Sequence, residues 1–176
     1  MKKIGIFCAA SENIDQLYFE AARQIGQWMG INGHTLVYGG ADMGLMECVA
    51  REAKKAGSHL VGVVPKLLEE GGHVSTLPDE LIHTQTLSDR KDRLIEISDI
   101  LLALPGGIGT FDEIFTTMAS AVIGYHSKKV ILYNVNGFYD KLILALNDLE
   151  VKQFTRRPLS NYYMAVDSTE KLNGIL

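Results

Sequence analysis

The chain has 176 residues, enough for one domain whose core folds unaided. Lysine and arginine number 17 against 21 aspartates and glutamates, a formal net charge of −4, which argues against a broad nucleic-acid surface and leaves room only for a local basic pocket. The two cysteines, Cys8 and Cys48, read as small buried apolar side chains of a reducing compartment, and His34, His59, His73, His83 and His126 lack ligand-like spacing, so no metal site is expected.

Met1-Lys2-Lys3 before the apolar run Ile4 to Ala10 superficially resembles a signal peptide. The run is short and leads into the charged Ser11-Glu12, and no stretch reaches a transmembrane length. A soluble, cytoplasmic protein without membrane partners is expected. Lys3 to Cys8 is the first predicted strand, and Ser11 or Asn13 can cap the helix Ile14 to Asn32. That helix sets Leu17, Ala21, Ile25, Trp28 and Met29 on one side, and Gly33 closes it. Thr35 to Tyr38 is a strand, Gly39 to Gly44 a glycine-rich turn, and Leu45 to Ala56 a helix stopped by Gly57. Leu60 to Val64 is the third strand. Lys66 to Pro78 shows no period and reads as a loop of the kind that covers sites, with Glu69 and Glu70 as solvated charges.

Glu80 to Thr86 alternates weakly, as a short strand does, and Ser88 has the place of a cap for a helix reaching Ser98. Ile100 to Leu104 is a continuous apolar strand. After the glycine turn that follows it, Ile114, Phe115, Met118, Ala119 and Val122 recur at helical spacing. Lys129 to Tyr133 is a strand, and a helix runs to Glu150. Beyond a basic stretch, Gln153 to Arg157, come a last strand, Tyr163 to Val166, and a short helix from Ser168. Strands that alternate with helices and are apolar throughout form a parallel sheet covered on both faces. The expected fold is α/β, a Rossmann-like doubly wound parallel sheet in a single domain over residues 1–176. Ligands in such sheets sit beyond the carboxyl ends of the strands, at the switch point. Three loops qualify: Ala9 to Ser11, Gly39 to Gly44 and Pro105 to Thr110.

The third loop carries the strongest chemical signal. Gly106, Gly107 and Gly109 lie between a strand and a helix, and glycines let backbone approach an anion at a helix N-terminus. Glu113 follows in the helix's first turn. A plainer reading keeps Thr110-x-x-Glu113 as a capping box over a tight turn. The loop is neither a Walker loop nor a dinucleotide fingerprint. Arg90 and Lys91 form a solvated face balanced by Asp89 and Asp92, or Arg90 turns into the site, where a planar guanidinium suits a sugar or phosphate. Gly39, Gly40 and Gly44 permit close packing or meet a nucleotide.

Pro105-Gly106-Gly107-Ile108-Gly109-Thr110-Phe111-Asp112-Glu113 resembles the P-G-G-x-G-T-x-x-E signature of the LOG family, the cytokinin riboside 5′-monophosphate phosphoribohydrolases. Phe7 to Ser11, Tyr38 to Met46, Gly62 to Lys66 and the pair Arg90-Lys91 extend the likeness over nearly the whole chain. The resemblance implies a sheet of about seven strands, a homodimer with sites near the subunit boundary, and no cofactor. It implies hydrolysis of the N-glycosidic bond of a nucleoside 5′-monophosphate, with Arg90 and Glu113 catalytic. Gly106, Gly107, Gly109 and Thr110 would hold the phosphate, and Ser11, Gly40 and Lys91 would add substrate contacts. Breaking a glycosidic bond builds positive charge on the sugar, which a carboxylate stabilises. Departures at Ala41-Asp42-Met43, Gly72, Ile108 and Asp112 leave the base open between adenine and a cytokinin-type purine. A carrier module on the same fold, like the molybdenum cofactor carriers, is the alternative. The decarboxylase label attached to some members finds no support, since no lysine sits in a pyridoxal phosphate setting.

Overall fold

The computed structural model describes residues 1–175. Seven parallel strands form one sheet: β1 (Lys3–Phe7), β2 (Thr35–Tyr38), β3 (Leu60–Pro65), β4 (Glu80–Thr84), β5 (Ile100–Ala103), β6 (Val130–Tyr133) and β7 (Tyr163–Val166). Their order across the sheet is β4-β3-β2-β1-β5-β6-β7. Successive strand residues point to opposite faces, and both faces are apolar, so the sheet builds two cores. Ile4, Ile6, Leu36, Tyr38, Leu102 and Leu104 pack under α1 (Gln16–Ile31) and α2 (Gly44–Lys55). Phe7, Val37, Val63, Leu101, Ala103 and Leu132 pack under α4 (Leu87–Ile97), α5 (Ile108–Ile123) and α6 (Asp140–Val151). A five-residue helix, α7 (Thr169–Asn173), closes the first core with Leu172. Among the described residues no helix is long and apolar enough to cross a membrane.

The doubly wound α/β fold is as the strand–helix alternation requires. The differences from the sequence reading lie at element ends. Asp15, rather than Ser11 or Asn13, caps α1 by accepting from the Leu17 amide at 2.9 Å. Leu17 is exposed rather than in the core. Residues 66–78 are not a bare loop. They begin with α3 (Lys66–Glu70) and include a one-residue antiparallel bridge from Val74 to Ala41. Five residues are too few to show a helical period. Glu69 pairs with His83 on β4, whereas Glu70 is an exposed, solvated charge 3.8 Å from Lys66. The weak alternation of β4 fits its place at the sheet edge, where one side has no strand to cover it.

The start of α4 is the correction that bears on function. Thr86, not Ser88, is the cap. Its hydroxyl accepts from the Asp89 amide at 3.1 Å, and the Asp89 carboxylate accepts from the Thr86 amide at 3.0 Å. This reciprocal pair satisfies two otherwise unbonded amides and fixes where the helix begins. Arg90 therefore stands in the fourth helical position. Thr86→Ala should lower stability by about 1 kcal/mol, read as a reduced midpoint in urea with an unchanged slope.

Candidate active site

Leaving β1, the chain adds β2, β3 and β4 outward on one side, then returns to add β5 on the other. The switch point therefore lies between β1 and β5. The loops that follow these strands are joined: the Ala9 amide donates to the Pro105 carbonyl at 3.1 Å, and the Leu45 amide, at the start of α2, donates to the Ala9 carbonyl at 2.9 Å. The three strand-end loops, two of them glycine-rich, thus meet at one place.

α5 begins three residues before the start that a Thr110 cap would set, with Gly107 as its N-cap and no side chain capping it. Its first backbone bond runs from the Phe111 amide to the Gly107 carbonyl, 3.0 Å. The amides of Ile108, Gly109 and Thr110 precede it and lack intrahelical acceptors, the arrangement that attracts an anion. The glycines differ in purpose. A side chain on Gly106 would collide with Thr110 Oγ1, 2.0 Å from its Cβ position, so Gly106 serves packing. At Gly107 and Gly109 a Cβ would meet nothing within 4 Å. Neither is demanded by the protein's own packing, and both leave the space beside the free amides unfilled. Thr110 is buried inside the first turn.

Glu113 occupies the sixth helical position, in the second turn, so the capping-box reading with Thr110 does not hold. It faces inward, 7% exposed. Arg90 reaches it from α4, with Nη1 3.6 Å from Glu113 Oε1. The guanidinium is itself held: Nε donates to the Val63 carbonyl at 3.2 Å, and Nη2 lies where a Cβ on Gly39 would fall, 1.8 Å away. Arg90 is therefore not part of a solvated face. Gly39 is the glycine that admits it, a role the sequence reading gave to neither Gly39 nor the Val63 carbonyl. A run of adjacent glycines was the available signal, but only the fold shows which one Arg90 meets.

The remaining predicted contacts divide. Gly40 is buried with φ +68°, and its carbonyl accepts from the Ser75 amide at 2.8 Å, tying the second loop to residues 71–76. Ser11 is exposed, and its carbonyl packs against Gly44. Lys91 turns toward α5, with Nζ 2.7 and 2.9 Å from the Asp112 carboxylate oxygens. Two buried groups beside the pair, Cys8 and Tyr139, are not among the site residues that the sequence singles out. Burial raises the Cys8 thiol, and Glu113 adds to the shift. The Tyr139 hydroxyl donates to the Leu104 carbonyl at 2.7 Å, just before the glycine loop.

Fold and site together define a class: a Rossmann-like α/β protein that sets an uncapped, glycine-lined helix start beside a buried, arginine-paired carboxylate. The particular family follows from comparison. A family model described as "Possible lysine decarboxylase" matches residues 46–175. Cytokinin riboside 5′-monophosphate phosphoribohydrolase LOG5 of Arabidopsis thaliana is 30% identical over 171 residues, covering 97% of this chain and 75% of its own. The cytokinin riboside 5′-monophosphate phosphoribohydrolase of Mycobacterium tuberculosis is 36% identical over 146 residues, covering 83% of this chain and 78% of its own. The chain belongs to this family, the LOG family. Among solved structures, the molybdenum cofactor carrier protein of Chlamydomonas reinhardtii has the same fold, with TM-score 0.75 at 20% identity over 99% of this chain and 94% of its own. The molybdenum cofactor binding protein of Rippkaea orientalis is similar, with TM-score 0.71 at 22% identity over 99% and 94%.

Burial pushes the Glu113 carboxyl up from 4.5 to about 7, against the opposing pull of Arg90. The folded chain then keeps this proton to about pH 7, while the unfolded chain releases it near 4.5. The contribution to stability is full below the lower value, declines as pH rises between the two, and is lost above the higher one. Glu113→Gln removes that ionisation. The variant should be more stable than wild type at pH 8, by roughly 2–3 kcal/mol in denaturant melts, with the difference vanishing near pH 4.

Proposed function

We propose that this protein hydrolyses the N-glycosidic bond of a purine nucleoside 5′-monophosphate, releasing the base and ribose 5-phosphate. The observation that carries the proposal is the Arg90–Glu113 pair, 3.6 Å apart and buried beside the open start of α5. The phosphate binds the amides of Ile108, Gly109 and Thr110. That attachment is remote from the bond that breaks, so its binding energy can be spent on alignment. Arg90, immobilised by Val63 and Gly39, orients the ribose. As the C1′–N bond breaks, its electron pair leaves with the purine, which takes a proton from solvent. Positive charge grows on the ribose next to the Glu113 carboxylate, which stabilises it and accepts a proton from the water that adds to C1′. Water is the only co-reactant, so the scheme requires no cofactor. A purine is favoured because the curated relatives are named for cytokinin riboside monophosphates. The carrier alternative shares the fold, but a carrier has no use for a carboxylate held near its ionisation point.

We also infer a homodimer. Phe115, Ala119 and Val122 continue the apolar period of α5, yet they lie on its outer side, where Phe115 and Val122 are 44% and 52% exposed. Ile123 and Tyr125 extend this surface. Exposed apolar side chains grouped on one helix face favour burial, and a second copy of the chain presenting the same face would cover them. Val122→Asp should reduce the mass measured by light scattering to that of one chain.

Purified protein incubated with AMP or N6-isopentenyl-AMP should release free base, detected by chromatography, while the corresponding nucleosides react far more slowly. Equal rates for nucleosides would remove the phosphate cradle from the proposal. Glu113→Gln should cut turnover by at least about 100-fold and leave nucleotide affinity nearly unchanged. Parallel loss of both would make Glu113 a structural residue.

A further inference from the structure

Two ion pairs join α4 to α5 at the site. Arg90 meets Glu113, and the next residue of α4, Lys91, meets the preceding residue of α5, Asp112. Adjacent residues on a helix point about 100° apart, so the two cations cannot serve one ligand in the same way. Arg90 turns to the strand ends. Lys91 turns to the outer side of the contact, where Nζ donates to both Asp112 oxygens at 2.7 and 2.9 Å and to Thr116 Oγ1 at 3.2 Å. An ammonium has three protons to give, and these three acceptors use them. Thr116 in turn donates to Asp112 Oδ1 at 3.4 Å, closing the cluster. The Lys91 side chain is largely buried there.

We propose that Lys91 and Asp112 are a positioning pair that locks α4 to α5 and sets the electrostatic field at Glu113, rather than contacts for the substrate. The inference rests on Glu113 being the working carboxylate. The groups facing Glu113 are few. Arg90 and Lys91 approach from α4, Asp112 precedes it on α5, Cys8 follows β1, and the Tyr139 hydroxyl lies just before α6. Burial raises both Cys8 and Tyr139, so they stay neutral near pH 7. Arg90 is always charged. The remaining adjustable charges are Lys91 and Asp112, which act on Glu113 with opposite sign: Asp112 raises its ionisation and Lys91 lowers it.

Opposite signs make the test discriminating. The Glu113 ionisation is followed by carbon NMR on side-chain-labelled protein without substrate, and the pH dependence of AMP hydrolysis is measured alongside. Asp112→Asn should move the Glu113 midpoint down, and Lys91→Met should move it up, each by about half a pH unit or more. The double variant should return close to wild type. The acidic limb of kcat should follow the same order, with KM for AMP changed less than about threefold. Lys91→Gln replaces Lys91→Met if the latter fails to fold.

A packing role alone would admit water in both single variants and lower both midpoints, which overturns the proposal. A tenfold rise in KM confined to the Lys91 variant would overturn it too, by making the ammonium a substrate contact. If the wild type hydrolyses no nucleotide, the functional reading fails, and the titration still decides whether the pair governs Glu113.

Discussion

Everything at the site depends on keeping a carboxylate where water is scarce. Burying an ionised group costs several kcal/mol unless a partner and hydrogen bonds compensate, and a single guanidinium at 3.6 Å compensates only in part. The raised ionisation of Glu113 is the measure of that shortfall. A fold selected for stability alone would place an apolar residue in the sixth position of α5. The site accepts the loss, and the surroundings limit it. Arg90 cannot drift away, because the Val63 carbonyl and the gap left by Gly39 hold it against the strand ends.

That arrangement follows from the path of the chain. To reach β5 from β4, the chain must cross beneath β3, β2 and β1, since β5 lies on the far side of β1. The crossover helix α4 therefore runs under the centre of the sheet rather than along an edge, and its first turns pass below the end of β3. A side chain from the fourth position can then touch β3, the turn after β2 and α5 together. The reciprocal Thr86–Asp89 cap matters for the same reason. Starting α4 one residue later would rotate Arg90 by about 100° and carry it away from Glu113.

Much of this is legible in the sequence. Continuous apolar strands separated by helices dictate a parallel, doubly covered sheet, and the small-residue loop after the first strand with the glycine-rich loops after the second and fifth locate the switch point. Arg90 and Glu113 were legible because a motif resemblance singled them out. What escaped depends on three dimensions. Gly39 and Gly40 are indistinguishable in sequence, and only the approach of Arg90 separates them. Lys91 looked like a companion of Arg90 because the two are adjacent, yet neighbouring helical residues face different surroundings. The apolar period of α5 identifies a helix but does not say which of its members face the sheet: Ile114 and Met118 do, while Phe115 and Val122 face outward.

The last of these ties assembly to chemistry. α5 offers Ile114 and Met118 to its own sheet, Glu113 to Arg90, and Phe115 and Val122 outward. One rigid rod thus carries the carboxylate, the free amides at its start and the apolar stripe. A partner seated on that stripe would restrain the same helix whose second turn sets the distance to Arg90. Because an interhelical gap of a few tenths of an ångström changes the field at a buried carboxylate more than at an exposed one, the proposed association would be coupled to ionisation through α5 without any contact between the partner and Glu113. On the proposed reading, control of Glu113 would come from two sides of one helix: the Lys91–Asp112 pair on the flank toward α4, and a second copy seated on the outer face.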